Sequence, residues 1–140
     1  MKFNPQYLEA ICLIELGSQK GVVDTSLTDF DIITKVGEGA YSDVYKVRRK
    51  ADNQIYALKK VKLNSLNSKE KENAINEVRI LASLKHPNVI QYREAFIEKQ
   101  MRCLCIIMEF CDQGDVFQKI NQHKKDKTYV KERLVWKILI

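Results

Sequence analysis

The fold of this chain is decided by the stretch Ile55-Tyr56-Ala57-Leu58-Lys59-Lys60-Val61-Lys62-Leu63. Its alternation predicts a β-strand, in which every second side chain points to the same face. Lys59 is the only charge on its face, whereas Lys60 and Lys62 lie on the other face, where lysines usually reach water. The face of Lys59 is otherwise apolar and consists of Ile55, Ala57, Val61 and Leu63. Lys59 therefore either holds a partner or extends its own stem to solvent at an edge strand.

A second charge lies on an apolar face of the helix that follows. After a polar stretch from Ser65 to Lys71, the periodicity predicts a helix to about Leu84, before the stop signal His86-Pro87-Asn88. Glu77 falls inside the apolar arc of this helix. The arc consists of Ala74, Ile75, Val78, Leu81, Ala82 and Leu84. An unpaired buried charge costs several kcal/mol, so we expect Glu77 to pair with Lys59.

A glycine turn precedes both charges. Alternation of period two begins near Asp29, reaches Gly37-Glu38-Gly39 and resumes at Val44, which predicts two strands joined by the turn. Glycines let a backbone approach a ligand closely and offer N–H groups to phosphate oxygens. Many ordinary hairpins also carry such a turn, so its functional meaning depends on the inward lysine and glutamate that follow it.

The remaining elements give an α+β order. Two further strands are predicted at Val89–Ile97 and Met101–Phe110, and two helices are predicted from Val116 and near Lys131. Asn4–Leu16 has helical spacing and predicts a short amphipathic leader. Three strands, a helix, two strands and further helices indicate a five-stranded, mostly antiparallel sheet with one helix packed on it.

Composition and charge exclude several classes of protein. Hydrophobic residues make up 45% and charged residues 30%, as in globular chains. The longest uncharged apolar run, Cys103–Met108, is much shorter than the roughly 20 residues that span a bilayer. The opening residues also lack the pattern of a secretion signal, so we expect an intracellular, cytoplasmic protein without a membrane span.

Neither the cysteines nor the net charge of +6 points to a special ligand. Cys12, Cys103, Cys105 and Cys111 form no Cys-x-x-Cys spacing, which disfavours zinc and disulfides and favours apolar packing. The densest basic cluster, His123–Lys127, contains an Asp and no aromatic residue, which is typical of a solvated helix end. We therefore expect no nucleic-acid partner.

Together these residues resemble the small lobe of a eukaryotic protein kinase. Gly37-Glu38-Gly39-Ala40-Tyr41-Ser42-Asp43-Val44 resembles the glycine-rich loop, with Ser42 in the place of the third glycine. Tyr56-Ala57-Leu58-Lys59 resembles the strand that carries the ATP-binding lysine, and Glu77 matches its partner on helix C. Ile106-Ile107-Met108-Glu109-Phe110-Cys111 resembles the strand that leads into the hinge, and its methionine stands at the gatekeeper position.

Three stretches are similar to NIMA-related serine/threonine kinases. They are Tyr45–Arg49, Asn73–Leu81 and Met108–Asp115. The resemblance implies an N-terminal leader at residues 1–26, a kinase small lobe at 27–110, and the hinge with an incomplete start of the large lobe at 111–140. The implied fold class is thus α+β, a five-stranded antiparallel sheet plus one helix, followed by the first helices of the large lobe.

The resemblance implies ATP as ligand, Mg²⁺ as cofactor, and γ-phosphoryl transfer to a serine or threonine of a protein substrate. Backbone amides of the glycine-rich loop would cover the phosphates, while Val44 and Ala57 would sandwich the adenine. The carbonyl of Glu109 and the amide of Cys111 would bind the adenine edge. The implied nucleotide contacts are Val36, Gly37, Glu38, Gly39, Ala40, Tyr41, Ser42, Asp43, Val44, Ala57, Lys59, Met108, Glu109 and Cys111.

Lys59 and Glu77 are the implied catalytic residues, because the lysine would contact the α- and β-phosphates and the glutamate would hold it. The His-Arg-Asp and Asp-Phe-Gly motifs do not occur in the 140 residues, and Asp29-Phe30-Asp31 precedes the loop and ends in Asp. Metal ligands are therefore expected outside this chain, which is expected to be inactive alone. A regulatory nucleotide-binding fragment remains an alternative, as does an interaction domain with a merely structural Lys59–Glu77 pair.

Overall fold

A computed structural model describes residues 25–139 of the chain, so the predicted leader helix at 4–16 lies outside the described residues. The elements are β1 (Phe30–Glu38), β2 (Ser42–Arg49), β3 (Ile55–Lys62), α1 (Ser68–Ser83), β4 (Tyr92–Glu98), β5 (Cys103–Glu109), α2 (Val116–Lys125) and α3 (Glu132–Leu139). The strands form one antiparallel sheet in the order β1-β2-β3-β5-β4. The predicted α+β fold is confirmed.

The chain divides into two compact units. The first ends at Phe110 and contains the sheet and α1, whereas the second begins at Cys111 and contains α2 and α3. Helix α2 begins as predicted after a capping Asp115, whose carboxylate accepts the N–H of Gln118 at 2.6 Å. Within residues 25–139, no helix has both the length and the apolar character needed to cross a membrane.

Helix α1 packs on one face of the sheet and forms the helix-side cluster. The cluster consists of Val61, Leu63, Leu66, Val78, Ala95, Leu104 and Ile106. Val78 of α1 is almost fully buried there. Because alternate residues of β3 and β5 reach this face, both central strands contribute to the same core.

The opposite face of the sheet carries a far-side cluster. It consists of Phe30, Val47, Leu58, Phe96, Cys103, Cys105 and Ile107. Leu58 and Ile107 are register partners on β3 and β5, and both are fully buried. The face of β3 that carries Lys60 and Lys62 therefore also contributes Leu58 to a buried core. Cys103 and Cys105 are buried free thiols, as the prediction of apolar packing requires.

Several ends of helices and strands differ from those predicted from the sequence. Helix α1 starts at Ser68 rather than after Lys71, because the side chain of Asn67 accepts the N–H of Glu70 at 2.9 Å and the carboxylate of Glu70 accepts the N–H of Asn67 at 2.8 Å. Strand β3 ends one residue early, because Leu63 begins a 3₁₀ turn. The strands predicted at Val89–Ile97 and Met101–Phe110 occupy Tyr92–Glu98 and Cys103–Glu109.

Candidate functional site

The glycine turn joins β1 to β2 and is closed by its own backbone. The N–H of Gly39 donates to the carbonyl of Ser42 at 2.7 Å. Neither Gly37 nor Gly39 has a positive φ, so no left-handed backbone requires a glycine at either position. A Cβ at Gly39 would lie 3.3 Å from two oxygens of Ser42. Close packing inside the turn is therefore what favours glycine at this position.

Ser42 stands where the family resemblance places a third glycine. It is the first residue of β2 and has no positive φ, so its Cβ causes no backbone strain. The departure from the glycine-rich pattern is thus accommodated by the extended backbone of the strand.

Four of the predicted nucleotide contacts share the sheet face on which α1 packs. Val44 and Lys59 are register partners, and Ala57 has the same relation to Met108. Directly opposed residues of antiparallel strands point to the same side of the sheet. Ala57 is buried, and Met108 packs at the margin of the helix-side cluster. The structure therefore brings an apolar surface and the predicted lysine onto one face.

Lys59 meets Glu77 across the gap between β3 and α1. Its Nζ donates to Oε1 of Glu77 at 2.6 Å, so the predicted pairing is confirmed. The predicted position of Glu77 inside the apolar core is wrong, because its side chain is 59% exposed, against 24% for Lys59. Helix α1 buries Ile75 and Val78 instead, and Leu84 is also exposed. The ion pair lies at the rim of the core, where it contributes little to stability.

Glu77 also borders an open groove of about 390 Å³ along α1. The groove is lined by Asn73, Asn76, Glu77, Ile80, Leu81 and Leu84. Its wall is mainly aliphatic, since Ile80 and Leu84 expose large apolar surfaces. Glu77 therefore lines this groove and also contacts the lysine on β3.

The other predicted contacts lie along the hairpin and at the end of β5. Val36, Glu38, Ala40 and Tyr41 are exposed on or beside the glycine turn. Glu109 ends β5, where its N–H donates to the carbonyl of Gln91 at 2.9 Å and its carboxylate accepts the N–H of Gln91 at 3.1 Å. Cys111 is exposed and begins the second unit. Every predicted site residue except Cys111 thus belongs to the first unit.

The charged surroundings of Asp43 were not predicted from the sequence. Its side chain is buried on the face opposite Val44, and its carboxylate lies 3.0 Å from Nζ of Lys35 and 3.5 Å from Nζ of Lys62. The hydrogen bond from Lys35 lowers the pKa of Asp43. Hydrogen bonds to Asp43 and Glu38 raise the pKa of Lys35. The strand alternation of β2 was the available signal, because it places Asp43 on the same face as Val47, a residue of the far-side cluster.

Comparison with known proteins supports the resemblance to protein kinases. Residues 30–140 match the family model described as protein kinase domain. The chain is 34% identical over 114 residues to the probable serine/threonine-protein kinase nek2 of Dictyostelium discoideum, covering 81% of this chain and 27% of that protein. It is 33% identical over 111 residues to the serine/threonine-protein kinase Nek2 of Mus musculus, with coverages of 79% and 25%.

A third relative is the G2-specific protein kinase nimA of Emericella nidulans. It is 34% identical over 110 residues, which cover 79% of this chain and 16% of that protein. The chain thus spans about a quarter, or less, of the length of these curated relatives.

Proposed function

Because this chain belongs to the protein kinase family, we propose that it forms the ATP-binding half of a serine/threonine protein kinase. The observation that carries the proposal is the 2.6 Å contact between Lys59 and Glu77, on the sheet face that also presents Val44 and Ala57. A lysine held by a carboxylate beside a glycine turn is the arrangement that protein kinases use to hold the phosphates of ATP.

Each part of the site has one task in this proposal. Backbone N–H groups of residues 37–44 cover the phosphates, and Lys59 binds the α- and β-phosphates while Glu77 fixes its Nζ. Val36, Val44 and Ala57 provide apolar contact for the adenine. Met108, at the gatekeeper position, lies at the inner end of this apolar surface. The carbonyl of Glu109 and the N–H of Cys111 bind the adenine edge.

The family implies magnesium as a cofactor, but the described part of the chain offers no set of ligands for it. Among residues 25–139, no three His, Cys, Asp or Glu side chains lie together as a metal site. The residues here therefore do not fit the metal, and its ligands belong to the part of the kinase domain that carries the Asp-Phe-Gly motif.

We also propose that residues 1–140 alone do not transfer phosphate, because the base-positioning and metal-binding motifs do not occur in them. In the complete kinase the substrate is a protein serine or threonine. We also propose a cytoplasmic location, which agrees with the composition of a globular chain.

The test is ATP affinity measured by isothermal titration calorimetry on the purified chain and two lysine variants. Lys59→Ala removes the phosphate contact and is expected to weaken binding about tenfold, the size of one charge-assisted hydrogen bond. Lys60→Ala is the matched control, since this neighbour points to the other face, where its Nζ lies 3.0 Å from the sulfur of Met101. Its affinity is expected to equal that of the wild type.

Three results would contradict parts of the proposal. Loss of binding in Lys60→Ala with retention in Lys59→Ala would show that the other lysine holds the phosphates. A folded wild type that binds no ATP at millimolar concentration would favour the interaction domain, in which the Lys59–Glu77 pair is structural. Turnover by residues 1–140 in a radiolabelled-ATP assay, abolished by Lys59→Ala, would overturn the expected inactivity.

A further inference from the structure

Asp43 is the one charged residue that is buried among residues 25–139, and its side chain is 8% exposed. A buried carboxylate must be compensated by hydrogen bonds or opposite charge. Asp43 has two such partners, with Nζ of Lys35 at 3.0 Å and Nζ of Lys62 at 3.5 Å. Since these lysines lie on β1 and at the end of β3, a single carboxylate on β2 connects three adjacent strands.

The same groups hold both sides of the glycine turn. Lys35 also contacts the carboxylate of Glu38 at 3.2 Å, and Glu38 is the register partner of Asp43. The backbone N–H of Lys62 donates to the carbonyl of Tyr41 at 2.9 Å. Both strands of the hairpin and the turn itself are therefore attached, directly or through one lysine, to Asp43.

Asp43 cannot touch a ligand that lies on the face of Lys59. Adjacent residues of a strand point to opposite faces, so Asp43 and Val44 are on different sides of β2. Val44 shares its face with Lys59. Any effect of Asp43 on a nucleotide must act through the backbone of the turn.

We propose that Asp43 is a positioning residue, which binds Lys35 and Lys62 behind the sheet and thereby holds the glycine turn in the position that nucleotide binding requires. This inference rests on the proposed function, because it deepens the role of the same site. The turn exposes Glu38, Ala40 and Tyr41, and its backbone carries one internal hydrogen bond, from Gly39 to Ser42. The charged groups behind the turn therefore add to its backbone hydrogen bonds in holding its position.

The test compares Asp43→Asn, which removes the charge and keeps the shape, with Asp31→Asn. Asp31 lies at the other end of the same hairpin, where its carboxylate is 64% exposed and 3.7 Å from Nζ of Lys50. Amide hydrogen exchange is measured first, without nucleotide. In Asp43→Asn the amides of Gly39 and Lys62 are expected to exchange about tenfold faster, while those of Leu58 and Ile107 keep the wild-type rate. Asp31→Asn is expected to leave all four rates unchanged.

ATP affinity is measured next on the same proteins. Asp43→Asn is expected to weaken binding about three- to tenfold, and Asp43→Glu, which restores the charge, is expected to recover part of the loss. Lys35→Met provides a second route if Asp43→Asn does not fold, because this lysine is partly exposed. It is expected to accelerate exchange at Gly39 in the same direction.

Two results would overturn the inference. One is unchanged exchange at Gly39 and Lys62 in a folded variant. The other is faster exchange spread evenly over the sheet, which would mean that Asp43 only stabilises the fold. Both results are independent of nucleotide, so they are distinguishable from failure of the wild type to bind ATP, which would overturn the proposed function.

Discussion

The two compact units differ in where they keep their apolar residues. In the first, buried hydrophobic residues lie on both faces of the sheet, from Phe30 to Ile107. In the second, no described residue is buried, and α3 exposes apolar side chains. They are Val135, Trp136, Ile138 and Leu139. A twisted sheet with one helix can cover its own core, whereas two short helices leave their apolar faces uncovered. Stability is therefore expected to reside in the first unit.

The largest contrast is expected in thiol reactivity. Burial raises the pKa of Cys105 to about 12, so about one molecule in ten thousand carries its thiolate at pH 8. Cys111, in the second unit, is exposed. Iodoacetamide at pH 8 is expected to modify Cys111 at least about 100-fold faster than Cys105 in the folded chain. Peptide mass spectrometry measures both rates. Equal rates in the folded protein would show that the far-side cluster is open to reagent.

The next contrast is in how much the free energy of unfolding falls when a leucine side chain is truncated. Leu58→Ala leaves a cavity in the far-side cluster and is expected to reduce the free energy of unfolding by about 2–5 kcal/mol. Leu139→Ala removes the same atoms from a residue that is 72% exposed. It is expected to change the free energy of unfolding by less than about 0.5 kcal/mol. Amide exchange of β3 and β5 in urea measures both. A large effect of Leu139→Ala on the sheet would show that the second unit contributes to the first unit's stability.

The same physical difference explains what could be predicted from the sequence. Alternation in β3 correctly placed Lys59 with Ala57 and Val61, because the side-chain period of a strand is fixed by its backbone. It also led to the pairing with Glu77. The exposure of Glu77 was not predictable, since helical periodicity gives a direction around the axis but not the width of surface that a sheet covers.

Two further features could not be read from the sequence for different reasons. The far-side cluster at Leu58 depends on contact between strands distant in the chain, which alternation alone does not specify. The charged network of Asp43 likewise joins residues from three strands, and their proximity depends on strand register. The start of α1 was encoded locally by the capping pair Asn67 and Glu70, but the polar composition around it hid the signal.

The dependence of stability on pH tests the charge of Asp43 within the first unit. The pKa of Asp43 is lowered in the folded chain, so its contribution to stability is present above the ordinary value of 3.8 and is lost as pH falls through the lowered pKa. The pKa of Lys35 is raised, so its contribution is present below 10.5 and is lost as pH rises through the raised pKa.

The stability difference between wild type and Asp43→Asn is therefore expected to be constant near neutral pH and to shrink below about pH 3.8. Urea denaturation from pH 7 to pH 2 measures it, with amide exchange of β3 reporting on the sheet. A difference that stays constant down to pH 2 would mean that the carboxylate contributes by shape rather than charge.

A small effect on stability and a measurable effect on ATP binding are expected at Glu77. An ion pair with one partner 59% exposed contributes less than about 1 kcal/mol to folding. Glu77→Gln is therefore expected to leave the free energy of unfolding within about 1 kcal/mol of the wild type. ATP affinity is expected to fall about three- to tenfold, because Nζ of Lys59 loses the carboxylate that fixes it.

Glu72→Gln is the matched control, since Glu72 is another exposed glutamate of α1. It is expected to change neither quantity. Calorimetry for ATP and urea denaturation for folding separate the two effects on the same samples. If Glu77→Gln destabilised the fold by several kcal/mol, the rim position of the ion pair would be wrong. If both variants left ATP affinity unchanged, the 2.6 Å contact would be a structural pair, and Lys59 would hold the phosphates without its carboxylate partner.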